Sequence, residues 1–333
     1  MEFRLLGSTG IKVSPLSLGT LNFGHPTPKS ESIRMVHKAL DAGINLVDTA
    51  DIYSLGESET IIGHALKNGR RECVILATKV HFPMSKDPND QGNTRLYLQK
   101  AVEASLRRLQ TDHIDLYQIH RPVFDVPQDE TLRALDDLVH QGKVCYIGSS
   151  TFPAWLIMEA LAISERYGFI HYVTEQPPYN LFDRRIENEL VPLALRYNLG
   201  LLTWSPLASG LLAGRYSEIG KFPPDSRAGR IGAYVSERIS DKGVVLSQQF
   251  IELARSRGLT PSQLALLWVK EQSAVTSAII GPRTEIQLED SLYVLERHLD
   301  PELVIELDKL VPPGSAVSNF YNNSGWMKMR LSW

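Results

Sequence analysis

Eight short apolar runs, each followed by a segment of helical period, constrain this chain more than any other feature. The runs are LSLGT (16–20), LVDTA (46–50), VILATKV (74–80), IDLYQIH (114–120), VCYIGSS (144–150), YVTEQ (172–176), GLLTWSPL (200–207) and SAIIG (277–281). Amphipathic helices are predicted near 29–43, 58–68, 94–109, 127–142, 153–167, 185–197, 243–257 and 284–297. LYLQKAVEASLRRL, for example, repeats its apolar residues at i, i+3 and i+4. Continuous apolar strands alternating with such helices predict a parallel sheet covered by helices. Eight units in about 300 residues favour a closed (β/α)8 TIM barrel, an α/β fold, over an open doubly wound sheet.

An open dinucleotide-binding sheet should carry G-x-G-x-x-G directly after its first strand. Gly7 and Gly10 in LGSTGIKV lack that spacing. They predict instead an N-terminal β-hairpin of 3–5 with 12–14, placed to plug the barrel floor. The longest irregular stretch, 208–242, is a long loop after strand 7, of a length that usually serves function. Helical segments follow at PSQLALLWVKEQ and near 301–311, and then a C-terminal tail, GSAVSNFYNNSGWMKMRLSW, expected over the active-site face. With no linker and no short-period repeat, one domain is expected across 1–333.

Composition narrows the partners. Acidic and basic residues number 38 and 35, a formal charge of −3, which leaves no electrostatic footprint for nucleic acid or an anionic membrane. No apolar run approaches the roughly 18 residues of a membrane span. MEFRLLGSTG lacks the basic-then-apolar pattern of a secretory signal. The two cysteines, Cys73 and Cys145, fit a reducing compartment. A cytoplasmic protein acting on a small molecule is expected, its oligomeric state open.

In such a barrel the chemistry gathers at the carboxyl ends of the strands. Those ends carry Asp48, Lys79, His120, Trp204 and Ser205, with Tyr53 in the loop after Asp48. Singly, each has an ordinary explanation: Asp48 as a cap, Lys79 snorkelling to solvent, His120 as a core residue. Together they make chemical sense. A carboxylate is costly in a core unless paired, and Lys79 can pair with Asp48. An ordinary phenol, with a pKa of about 10, exchanges protons poorly near neutrality, and a neighbouring ammonium favours its ionised form. An imidazole beside it can orient a substrate oxygen. This centre could protonate an oxyanion or deprotonate an alcohol, but it lacks an electron source, so a hydride donor must be a cofactor.

In these motifs the chain resembles the aldo-keto reductases. DAGINLVDTADIYSLGESE, LATKV, IDLYQIHRP, YIGSS, EQPPYN, WSPLASGLLAGRY and GPRTEIQLEDSL match in order, and the likeness is to the bacterial, channel-β-subunit and sugar-ketoreductase branches. The resemblance implies a (β/α)8 barrel binding NADP(H), with a catalytic tetrad of Asp48, Tyr53, Lys79 and His120. It assigns to the cofactor Gly19 and Thr20 after the first strand, and Ser150, Thr151 and Gln176 around the nicotinamide carboxamide. Trp204 would stack on the nicotinamide, and Ser205, Leu207, Gly210 and Arg215 would wrap the pyrophosphate. Gly281, Arg283, Thr284 and Gln287 would clamp the 2′-phosphate, a group that suits a guanidinium fork, with Asp290 near the adenine. Pocket walls are expected from Leu21, Asn22, Phe23, Leu55, Phe82 and Arg121, and from Tyr321 and Trp326 of the tail.

The leading expectation is an NADPH-dependent reductase of an aldehyde or ketone, sugar-like substrates included, with Tyr53 as general acid. A cofactor-binding, redox-sensing regulatory subunit with little turnover is the alternative. A Schiff-base aldolase using Lys79 is a third reading. No His-x-His pair or multi-His set stands at the strand ends, so no metal is expected.

Overall fold

A computed structural model describes residues 2–321. Strands β1 (Arg4–Leu5) and β2 (Lys12–Val13) form an antiparallel hairpin with Arg4 opposite Val13. The next eight are β3 (Leu16–Gly19), β4 (Leu46–Asp48), β5 (Ile75–Val80), β6 (Ile114–Ile119), β7 (Val144–Ser150), β8 (Thr174–Gln176), β9 (Gly200–Thr203) and β10 (Val275–Ile280). They close in sequence order into a parallel barrel, with β10 returning to β3. Each sits inside or beside an expected apolar run.

The helices are α1 (Lys29–Asp41), α2 (Glu57–Ala65), α3 (Arg95–Leu109), α4 (Gln128–His140), α5 (Ala154–Tyr167), α6 (Leu190–Tyr197), α7 (Arg227–Ile231), α8 (Ala233–Ser236), α9 (Asp241–Ser256), α10 (Pro261–Lys270), α11 (Glu285–Leu292) and α12 (Pro301–Leu310). Local chemistry sets their ends. The Thr94 hydroxyl accepts from the Tyr97 amide to start α3, and Thr260 and Gln263 form a capping box before α10, with Pro261 at its first position. Among the described residues no helix is long and apolar enough to cross a membrane.

Three segments depart from expectation. Helix α6 begins at Leu190 rather than 185, because Pro192 tolerates only the first turn of a helix; a short 3-10 turn covers Arg185–Glu187. Helix α11 ends at Leu292, followed by turns. The 208–242 stretch is not structureless: it holds a 3-10 segment at Ala208–Ala213 and then α7 and α8.

Two apolar layers result. The larger packs the helices onto the outside of the barrel. The smaller fills its lower interior with Leu6, Val13, Leu46, Ala77, Leu116, Val173, Leu202 and Ile279. Leu6 and Val13 come from the hairpin, which closes the floor as the glycine spacing predicted. Gly7 makes this possible: at φ +57° its backbone lies so near the barrel that a Cβ would sit 2.3 Å from the Val173 carbonyl oxygen.

Candidate active site

Strand β4 ends on Asp48, which β3 and β5 flank in register, so its carboxylate is buried at the upper end of the barrel. Lys79, near the end of β5, is wholly buried and donates to Asp48 Oδ2 at 2.5 Å, to the Thr49 carbonyl at 2.8 Å and to the Tyr53 hydroxyl at 3.4 Å. Burial works to lower the Lys79 pKa, but Asp48 and Tyr53 more than offset it and hold the ammonium above its ordinary range. The other Asp48 oxygen accepts from Gln118 Nε2 at 3.1 Å and Gln176 Nε2 at 2.8 Å. A buried ion pair needs further hydrogen bonds to be sustained, and here Lys79 makes three and both Asp48 oxygens accept.

Tyr53 opens a tight turn in which Ser54 and Leu55 both adopt left-handed backbone, at φ 49° and 52°. The Ser54 hydroxyl donates to the Phe23 carbonyl at 2.8 Å, tying this turn to the loop after β3. His120 follows β6 and packs edge-on against Tyr53 and Phe82, with ring centroids 5.8 and 4.9 Å away. Burial, and then the charges of Arg121 and Lys79, push its pKa well below the ordinary value. The imidazole is therefore neutral near pH 7 and can donate one N–H.

These groups border a cavity of about 610 Å³, within the range of small-molecule sites. It runs from Asp48, Tyr53 and His120 to Arg283, Gln287 and Asp290 at its far end. Gly19, Thr20, Ser150, Gln176, Trp204, Ser205, Leu207, Gly210, Arg215 and Gly281 line the stretch between, as do Leu21, Asn22, Phe82 and Arg121. The turn after β9 carries left-handed residues at Ser205, Ala208, Ser209 and Gly210, strain that surrounding structure must over-determine. Asn22 Nδ2 donates to the Gly281 carbonyl at 3.0 Å, joining two loops of the wall. Arg283 donates to the Asp225 carbonyl at 2.9 Å, and Arg215 pairs with the Asp225 carboxylate, so the 208–242 stretch straps this end.

Several expected residues stand elsewhere. Phe23 is fully buried in the outer core, not on the cavity wall, where a tight turn closed by its amide on the Thr20 carbonyl at 3.0 Å reverses the loop. Leu55 is 74% exposed, since its left-handed backbone points it to solvent. Thr151 is buried behind the wall, where its hydroxyl accepts from Arg121 at 3.0 Å. Thr284 spends its hydroxyl capping α11 and does not line the cavity. Asp290 lines it while accepting from Thr260 and Gln263, a link between α11 and α10. Gln176 lines it with its amide turned to Asp48. Tyr321 packs on the outer core, and its amide donates to Asp183 at 2.7 Å. Trp326 lies outside the described residues.

Other residues went unread in the sequence. Gln118 holds Asp48, and its position two before His120 on an alternating strand was signal enough to find it. Glu59, within the GESE that starts α2, is wholly buried and accepts from Thr78 at 2.6 Å and Arg108 at 2.7 Å. Arg227, Tyr234 and Arg238 line the cavity from α7, α8 and the turn after it, where no periodicity pointed.

An ammonium locked to a carboxylate, with a phenol and a neutral imidazole above it, defines a barrel whose rim can exchange a proton with an oxygen atom. The aldo/keto reductase family model matches residues 15–312. The chain is 41% identical over 332 residues, 96% of its length and 99% of the relative, to the uncharacterized oxidoreductase YrpG of Bacillus subtilis (strain 168). It is 36% identical to a putative voltage-gated potassium channel subunit beta of Schizosaccharomyces pombe, covering 93% of each chain. With a probable subunit of the same kind from Oryza sativa subsp. japonica the identity is 34%, over 93% of this chain and 97% of the relative. The chain belongs to the aldo/keto reductase family. It is an oxidoreductase, in a family whose members use nicotinamide cofactors.

Proposed function

We propose that the protein reduces an aldehyde or ketone, sugar-like compounds included, to the alcohol with NADPH, and that Tyr53 is the general acid. The observation that carries this reading is the Lys79 ammonium, held by Asp48 at 2.5 Å and reaching the Tyr53 hydroxyl at 3.4 Å. A carbonyl oxygen at the cavity mouth takes the Tyr53 proton, and the phenolate left behind faces that ammonium. Neutral His120 orients the same oxygen by donating an N–H, without competing for the proton. When bound, the reduced nicotinamide supplies the hydride that adds to the carbonyl carbon, and it leaves oxidised.

Ser150, Gln176 and Trp204 line the cavity and would hold that ring in this reading, and Ser205, Leu207 and Gly210, which line it too, would bind the pyrophosphate. Arg283, with Arg215 and Arg230 nearby, supports NADPH over NADH, since a 2′-phosphate supplies the anion these cations suit. A Lys79 kept protonated by Asp48 is a poor amine nucleophile, which argues against the aldolase reading. Two free, exposed thiols, Cys73 and Cys145, suit the cytoplasm.

The β-subunit names of two relatives favour one second reading, a cofactor-binding regulatory subunit with little turnover. One experiment separates the two. The protein should oxidise NADPH steadily with a panel of aldehydes, and Tyr53→Phe should abolish this while NADPH still quenches tryptophan fluorescence. A variant retaining most of the activity would remove Tyr53 from the role. A wild type that binds NADPH but never consumes it would favour the regulatory reading.

A further inference from the structure

Several buried or half-buried guanidiniums in this protein have carboxylate partners. Arg184 pairs with Glu187 and Asp308, Arg185 with Asp183, Arg108 with Glu59 and Arg71 with Asp115. Two that line the cavity do not. Arg238 is 2% exposed and Arg227 half-buried, the Nε–H of each is buried without an acceptor, and neither forms an ion pair among the described residues. Burying a cation without a counter-charge is costly, and the two crowd each other: burial, and then the Arg238 charge, depress the Arg227 pKa.

Their place in the cavity matters as much as their number. Arg238 lies over the Tyr234, Trp204 and Phe320 rings at 4.7, 5.5 and 5.8 Å, and Arg121 lies over Trp204 at 5.8 Å and over Phe82 at 5.7 Å. Phe82 packs on His120, and His120 on Tyr53. Arg238 thus belongs to the proton-transfer end of the cavity. The cations suited to a 2′-phosphate, Arg283, Arg215 and Arg230, gather around Asp225 at the other end. Among the described residues the acids lining the cavity are Asp48, matched to Lys79, and Asp290, bonded to Thr260 and Gln263. Neither serves Arg238.

We propose that the carbonyl substrate carries an anionic group, a carboxylate or a phosphate, held beside Trp204 by Arg238 with Arg121 and Arg227. The inference rests on the carbonyl-reductase reading above and names its substrate class. An anion there supplies the acceptors that the Arg238 and Arg227 Nε–H groups lack, and a planar fork holds it at a fixed distance from the carbonyl.

Two matched pairs test this: 4-oxobutanoate against its methyl ester, and glyceraldehyde 3-phosphate against glyceraldehyde. In the wild type, kcat/KM should favour the anion at least tenfold in one pair or both, and the pair that responds identifies the anion. Arg238→Met should collapse that ratio at least tenfold, whereas Arg238→Lys, which keeps the charge, should retain part of it. Each variant's folding is checked by circular dichroism. No preference in either pair, or a preference that survives Arg238→Met, overturns the proposal. So does a tenfold loss of NADPH affinity in Arg238→Met, which would assign the residue to the cofactor. Binding of the same compounds to the NADP+-loaded protein, followed by tryptophan fluorescence, separates the two readings. Anion-selective binding that needs Arg238, without turnover of any carbonyl, would overturn the reductase reading and leave the anion site standing.

Discussion

Two aspartates one turn apart receive opposite treatment. Asp48 accepts hydrogen bonds on both carboxylate oxygens, while Asp51 is buried with neither carboxylate oxygen bonded among the described residues. Burial, and then the charge of Glu59, push the Asp51 pKa up to about 8, so it is protonated at neutral pH. Folded Asp51 keeps its proton up to that pH, whereas in the unfolded chain it releases it near the ordinary value of about 3.9. Its contribution to stability is therefore full below about pH 4 and is lost as pH rises toward 8, by up to about 1.4 kcal/mol per pH unit. Asp51→Asn cannot ionise, so its melting temperature should gain on the wild type steadily from pH 5 to pH 8. A difference that stays constant with pH would mean that folded Asp51 is already ionised. At this scale the sequence was legible where alternation and strand ends fix a side chain: Asp48, Lys79 and His120 all meet the rim. It was illegible where a local turn decides, as at Leu55, whose own backbone is left-handed, and at Phe23, in the turn its amide closes on Thr20.

Elements were easier to read than their connections. Each barrel strand could be found because burial on both faces demands a continuous apolar run, and each covering helix because one face must be apolar. Helices α7 and α8 bury only Ala228 and Val235 and leave no such period, which is why Arg227 and Arg238 were invisible in the sequence. The hairpin shows how much one residue can set. Gly7→Ala would force a Cβ to 2.3 Å from the Val173 oxygen and 2.8 Å from the Gly200 nitrogen, at φ +57°. Left-handed strain alone costs roughly 1–2 kcal/mol, and the clash adds to it. The variant should lose more than about 2 kcal/mol in urea unfolding, while an alanine at Gly10, where nothing lies near the added Cβ, serves as the control. Equal stability in the two variants would show that the floor contact is not as close as described.

The whole molecule carries a formal charge of −3, yet the wall of its main cavity is rich in arginine. These two facts make opposite statements about an anionic ligand. If overall charge governed encounter, added salt would screen repulsion and speed NADPH association. If the cavity focuses its own field, salt should slow it, because the Debye length shrinks from about 14 to about 4 Å between 50 and 500 mM. We expect stopped-flow association rates to fall by roughly three- to tenfold over that range; a rise would mean that the arginines are masked before the ligand arrives. The closed floor has a consequence of another kind. With Leu6 and Val13 sealing the lower barrel, no guest passes through the floor. Guests that must all come by way of the rim can stand in one another's path, so the one that sits deeper should enter first and depart last.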